Sequence, residues 1–232
     1  MSQANRERLG SVAKALGDLR TRVVFVGGAV VELYATDPAA PEPRPTLDVD
    51  CIIEVSTRFA YSKLEEDLRR KGFRNDPSEG APLCRWLVNE VKVDVMPLQP
   101  DILGFSNEWY AEGFRHIHMV SLGAEEMINL LDTPYFLATK LAALHNRGLG
   151  DLRTSSDFED IVYILSNRGS VLDEVKAAEG KVRQYLSASF KELLSSSMVD
   201  EAIDAALGFG EPAGARARVR ASFEQMSASG DS

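Results

Sequence analysis

Leu9, Val12, Ala13 and Leu16 recur at helical spacing and predict an amphipathic helix over roughly residues 5–18. Arg22 to Val26 reads as a short buried strand that stops at Gly27-Gly28, with a helix resuming over Ala29 to Ala35. Asp37 to Pro45 carries prolines at 38, 41, 43 and 45, too many for a regular element, so it is a loop. Leu47 to Val55 then alternates: Leu47, Val49, Cys51, Ile53 and Val55 take one face of a strand, and Asp48 and Asp50 the other. Arg58 to Lys71 predicts a charged helix that packs through Phe59, Leu64 and Leu68.

Leu83 to Val88 and Val91 to Met96 read as a hairpin around Asn89-Glu90, with Val91, Val93 and Val95 on one face and Asp94 opposite. Phe114 to Val120 reads as a further strand. Beyond Ser121 the pattern turns helical, with helices expected over Ala124–Leu131, Pro134–His145, Ser156–Ser166 and several stretches between Val171 and Leu207. The fold class is therefore α/β (α+β): an N-terminal mixed-sheet core over residues 1–120, a helical domain over 121–210, and a flexible Ala/Gly/Ser-rich tail over 211–232. No internal repeat is present.

The chain's 232 residues suffice for one large domain or two small ones, and its 44% hydrophobic and 26% charged content is that of a soluble globular protein. No apolar run reaches the roughly 20 residues that span a bilayer, so no membrane association is expected. The N-terminus lacks the apolar core of a signal peptide, which predicts a cytoplasmic location. Cys51 and Cys84 are expected as reduced, packed thiols. A net charge of −9 argues against broad coating of nucleic acid while leaving room for a local basic groove.

Asp48 and Asp50 share a strand face with Cα atoms roughly 6.5 Å apart, a spacing that suits two oxygen ligands on a hard divalent cation. A bare pair of this kind also fits a solvent-facing edge. Asp94 offers a third carboxylate, and an antiparallel sheet could bring all three together. Their mutual repulsion makes such a cluster costly as decoration and useful as a Mg²⁺ cage. Gly27 and Gly28 permit close approach of backbone N–H groups to a phosphate, aided by the helix N-terminus that follows. Thr46 is either a plain β-former, a hydrogen-bond partner for a phosphate or a residue that orients Asp48, and Arg44 fits a solvated position.

Lys140 lies on an apolar stripe with Phe136, Leu137 and Leu144 and should snorkel to a rim; if that rim is the cleft between the two halves, its ammonium would meet a triphosphate. Asp157 and Asp160 open a helix that Ser156 could cap, and the helix dipole alone accounts for a carboxylate at Asp157. His116 and His118 lack further ligands for zinc and read as structural. Arg216, Arg218 and Arg220 read as a solvated helix face.

Gly27-Gly28, the Arg44-x-Thr46-x-Asp48-Val49-Asp50 run and Asp94 resemble the minimal nucleotidyltransferases of the DNA polymerase β superfamily. The stretch Lys140…Arg147…Asp157-x-x-Asp160-Ile161 is similar to the AbiEii-type, toxin-like branch, so the resemblance covers roughly residues 22–166. It implies transfer of an NMP from an NTP to an acceptor hydroxyl with Mg²⁺ (or Mn²⁺), tRNA being one acceptor and an antitoxin protein one partner. By the same resemblance Gly27 and Gly28 would cradle the triphosphate, and Asp48, Asp50 and Asp94 would hold the metal. Lys140 would bind phosphate, with Asp157 or Asp160 positioning it or the substrate. Two departures stand out: nineteen residues separate Gly28 from Asp48, the excess being the proline-rich loop, and Ala29 replaces the serine that commonly follows the glycines. Modification of a small molecule or protein hydroxyl, and a non-catalytic nucleotide- or partner-binding module, are the competing readings.

Overall fold

The computed structural model describes residues 3–123, 126–147, 150–208 and 214–231. The chain divides into two compact units: residues 1–33 with 44–132, and residues 34–43 with 133–232.

The first unit is built on a mixed seven-stranded sheet. Helix α1 (Gln3–Leu16) buries Leu9, Val12, Ala13 and Leu16, the stripe its periodicity announces. Gly17, at φ +56°, ends it in a left-handed conformation that glycine adopts without a Cβ clash, and a 3₁₀ segment leads to β1 (Val23–Val26), buried throughout. The segment after the glycines, Gly28–Tyr34, is a 3₁₀ helix rather than an α-helix. Strand β2 (Asp48–Ile53) follows the proline-rich loop. Helix α2 (Arg58–Arg70) starts where Thr57 Oγ1 accepts from the Ala60 N–H. It packs through Tyr61, Leu64 and Leu68, whereas Phe59 stays exposed.

Short β3 (Arg74–Asn75), which the residue pattern does not signal, precedes β4 (Arg85–Val88) and β5 (Val91–Pro97). Asn89 and Glu90 both take positive φ (47° and 61°), as a two-residue hairpin of matching twist demands. Two single-turn helices, α3 (Pro100–Leu103) and α4 (Tyr110–Gly113), lead to β6 (Ile117–Ser121) and β7 (Met127–Leu131). The strand order is β3-β4-β5-β2-β1-β7-β6. β1 pairs antiparallel with β2 and parallel with β7, β2 runs parallel to β5, and β4 runs antiparallel to β5.

Two expectations about the sheet fail. Residues 127–131 form a strand, not the end of a helix, because Ile128 and Leu130 alternate into the core against β1; Ala124 and the residue after it lie outside the described residues. Five residues are too few to separate the two periods by pattern alone. The carboxylate-bearing strands β2 and β5 are parallel neighbours, not antiparallel ones.

The second unit is helical among its described residues: α5 (Thr133–Asn146), α6 (Ser156–Asn167), α7 (Val171–Ala177), α8 (Gly180–Ser195), α9 (Val199–Leu207) and α10 (Ala215–Ala228). Residues 34–43 belong with it: Asn167 C=O accepts from the N–H groups of Thr36 and Asp37, and Pro41 C=O accepts from the Tyr163 hydroxyl. The flexible tail expected from Glu211 is, from Ala215 on, a packed helix; residues 211–213 lie outside the described residues. Composition misleads because few large apolar residues suffice. Val219, Phe223 and Met226 are buried at helical spacing, and the Phe223 ring lies 4.9 Å from that of Phe190 and 6.0 Å from that of Phe158. None of the described helices is long and apolar enough to cross a membrane.

Phe223→Ala should therefore cost about 3–5 kcal/mol, as expected for an aromatic ring lost from a core. Denaturant unfolding measures it. A loss under 1 kcal/mol, roughly that of an exposed change, would return the C-terminal segment to a tail.

Candidate metal centre

Asp50 and Asp94 sit directly opposite one another in the parallel pairing of β2 with β5, and Asp48 lies one same-face step back along β2. Each of the three offers a carboxylate oxygen, and those oxygens all lie within 4.8 Å of one another. Among the described residues no other group of three or more His, Cys, Asp or Glu side chains is so arranged. Behind the carboxylates, Val49, Cys51, Val93 and Val95 are fully buried on the opposite strand faces, which fixes the register and so the direction of every aspartate.

Gly27 is part of this geometry. Its φ is +75°, and a Cβ there would fall 2.0 Å from Asp50 Oδ2. The Asp50 carboxylate thus occupies the space a side chain would fill, a closer reason for the glycine than approach of a ligand. Because the segment opened by Gly28 is a seven-residue 3₁₀ helix, the expected α-helical N-terminus is not what this turn offers. Thr46 is buried, and its hydroxyl lies 3.3 Å from the Asp48 carbonyl, while its N–H donates to Asn5 Oδ1 at 3.1 Å. Of the roles open to it, orienting the start of β2 is the one its contacts serve.

Arg85, on β4, is a residue that the sequence reading misses. Its Nε and Nη2 donate to the two Asp94 oxygens at 2.8 and 2.7 Å, and Nη2 also lies 3.2 Å from Asp48 Oδ2. Hydrogen bonding to Asp94 raises the arginine's already high pKa, so the guanidinium stays charged. A signal existed: a two-residue turn at Asn89-Glu90 pairs Val88 with Val91, and counting along the hairpin places Arg85 opposite Asp94. The nearby thiols are free and buried; burial pushes the Cys51 thiol well up and that of Cys84 up to about 12.

In the helical unit Lys140 does not snorkel. It is buried on α5, a helix that is apolar on nearly all sides, and its Nζ lies 2.6 Å from Asp160 Oδ2 and 3.2 Å from Asp157 Oδ1. Burial opposes its charge, but Asp160 and Asp157 outweigh that and hold the ammonium above the ordinary lysine range. Asp157 also accepts from Arg147 Nη1 at 2.5 Å. Two carboxylates and two cations make a compact ion network, and Asp157 and Asp160 are 4% and 1% exposed, so the dipole of a solvated first turn does not describe them. Ser155, not Ser156, caps this helix by accepting from the Phe158 N–H. His118 Nδ1 lies 2.9 Å from Asp132 Oδ1, and Arg216 and Arg220 on α10 pair with Asp204 and Asp200 on α9.

Gly27→Ala should lower stability by about 1–3 kcal/mol through its left-handed backbone and force Asp50 off its present position. Thermal melts with and without Mg²⁺ test both effects. A variant with the wild-type Mg²⁺ response would show that Asp50 does not need the space Gly27 leaves.

No protein-family model matches this chain, and no curated protein matches it as a significant relative. The chemistry of the site therefore rests on its own geometry.

Proposed function

We propose that the protein is a metal-dependent nucleotidyltransferase that moves an NMP from an NTP to an acceptor hydroxyl and releases pyrophosphate. The observation that carries this reading is the convergence of Asp48, Asp50 and Asp94 oxygens within 4.8 Å on one face of two parallel strands. An all-carboxylate oxygen set suits Mg²⁺ or Mn²⁺ in preference to softer metals. The bound cation would supply charge stabilisation for the attacking and leaving oxygens of an in-line displacement.

The protein's own contribution is placement. The buried register of β2 and β5 aims the three carboxylates, Thr46 fixes the entrance to β2, and Gly27 leaves Asp50 its room. Preorganisation of this kind lowers a barrier because no group has to be gathered at the moment of reaction. In the same proposal Gly28 faces the triphosphate, whereas Lys140, buried between Asp157 and Asp160, forms an ion pair internal to the helical unit. The resemblance to the AbiEii-type branch favours tRNA as acceptor and an antitoxin as partner. The net charge of −9 favours a small-molecule or protein hydroxyl instead.

One observation supports a non-catalytic binding module. Arg85 neutralises part of the triad, so the cluster is less costly without a metal than three bare carboxylates. The arithmetic still favours a cation: three carboxylates and one guanidinium leave a formal charge of −2 on these four groups.

Incubation with each α-³²P-labelled NTP, Mg²⁺ and total bacterial tRNA, or a cell extract, tests the proposal. Label should pass from an NTP to RNA, protein or small molecule, and EDTA should abolish it. Asp50→Asn, which keeps shape and removes charge, should lower the rate by about 10²–10³-fold, the scale of losing a main electrostatic element. Transfer that survives EDTA or Asp50→Asn contradicts the assignment, and absence of turnover with every NTP and acceptor favours the binding module.

A further inference from the structure

The Arg85 guanidinium makes two unequal contacts. With Asp94 it forms a fork-to-carboxylate pair of two short charge-assisted bonds, 2.8 and 2.7 Å. With Asp48 it makes a single 3.2 Å bond, from a nitrogen already engaged, to a carboxylate 39% exposed against 12% for Asp94. The Asp94 arm is thus the stronger and drier of the two.

A divalent cation held by the three carboxylates would take over the attraction that the guanidinium now supplies. Two positive groups so close repel, and the contact that yields first is the weaker one. We propose that Arg85 is a built-in competitor for the metal: it holds Asp48 when no cation is present, releases Asp48 when one binds, and grips Asp94 throughout. This rests on the metal-site reading given above. Each Asp94 oxygen keeps a second lone pair beside the one that Arg85 uses, so the pair need not break for Asp94 to serve as a ligand. Arg85 is accordingly a positioning residue. It keeps like charges together in the empty site, at the cost of a weaker affinity for the cation than the carboxylates alone would have.

Mn²⁺ alone is the probe, titrated into metal-stripped full-length protein with the free ion read by electron paramagnetic resonance. Arg85→Gln should bind Mn²⁺ roughly tenfold tighter than wild type, because a neighbouring positive charge is removed. Without metal it should melt below wild type, and Mn²⁺ should raise its Tm by more. Arg85→Lys keeps a charge on Asp94 but has no fork to bridge two carboxylates, and should tighten binding by about threefold. It decides the question even if Arg85→Gln folds poorly. Wild-type or weaker affinity in the Arg85 variants, with binding still lost in Asp50→Asn, overturns the competitor role and leaves the metal site standing. Absence of Mn²⁺ binding in wild type and both variants overturns the metal reading and this inference with it.

Discussion

The parallel pairing of β2 with β5 is the constraint on which the site depends. It sets Asp50 beside Asp94 and buries Val49, Cys51, Val93 and Val95 on the far side. A slip of one residue would turn the aspartates into the core and expose the valines, so apolar burial holds the acidic face in register. Like charges side by side cost free energy, and the same geometry recruits an offset. The hairpin of β4 with β5 delivers Arg85 opposite Asp94, where one guanidinium serves two carboxylates.

The helical unit solves a different electrostatic problem. Lys140 is carried on a helix that is buried on nearly every side, a position where an isolated ammonium would lose its proton or unfold its surroundings. Asp157 and Asp160, one helical turn apart on α6, supply two carboxylates, and Arg147 completes the balance. Such a network adds little net stability over an apolar core, yet removing one partner is expensive, by about 3–5 kcal/mol. A lysine so held is a fixed charge, unlike a solvated one that wanders among rotamers.

Much of this was legible in the residues. The α1 stripe, β1 with its glycine stop, the alternation through β2 and the Asn89-Glu90 hairpin all follow from local periodicity and turn chemistry. Hence Asp48, Asp50 and Asp94 could be named together from strand faces alone. What escaped depended on pairing between distant segments or on very short runs. β3 has two residues, and Met127–Leu131 fits either period. Whether β2 and β5 run parallel is a matter of topology, which no single strand announces. The apolar stripe around Lys140 misleads because snorkelling needs a nearby surface, and α5 has almost none. The C-terminal segment hid its helix behind Ala, Gly and Ser, since only Val219, Phe223 and Met226 mark the buried face. Arg85 needed the hairpin register to be counted through, and composition gave no hint of it.

The proposed cation site at the three aspartates, and the competition that Arg85 offers for it, can be observed directly. A crystal grown with Mn²⁺ and measured for anomalous scattering tests it most directly. A peak is expected about 2.1 Å from oxygens of Asp48, Asp50 and Asp94, the distance of a small hard cation, with Arg85 still on Asp94 and withdrawn from Asp48. A map with no peak there, and with Arg85 bridging Asp94 and Asp48, would overturn it.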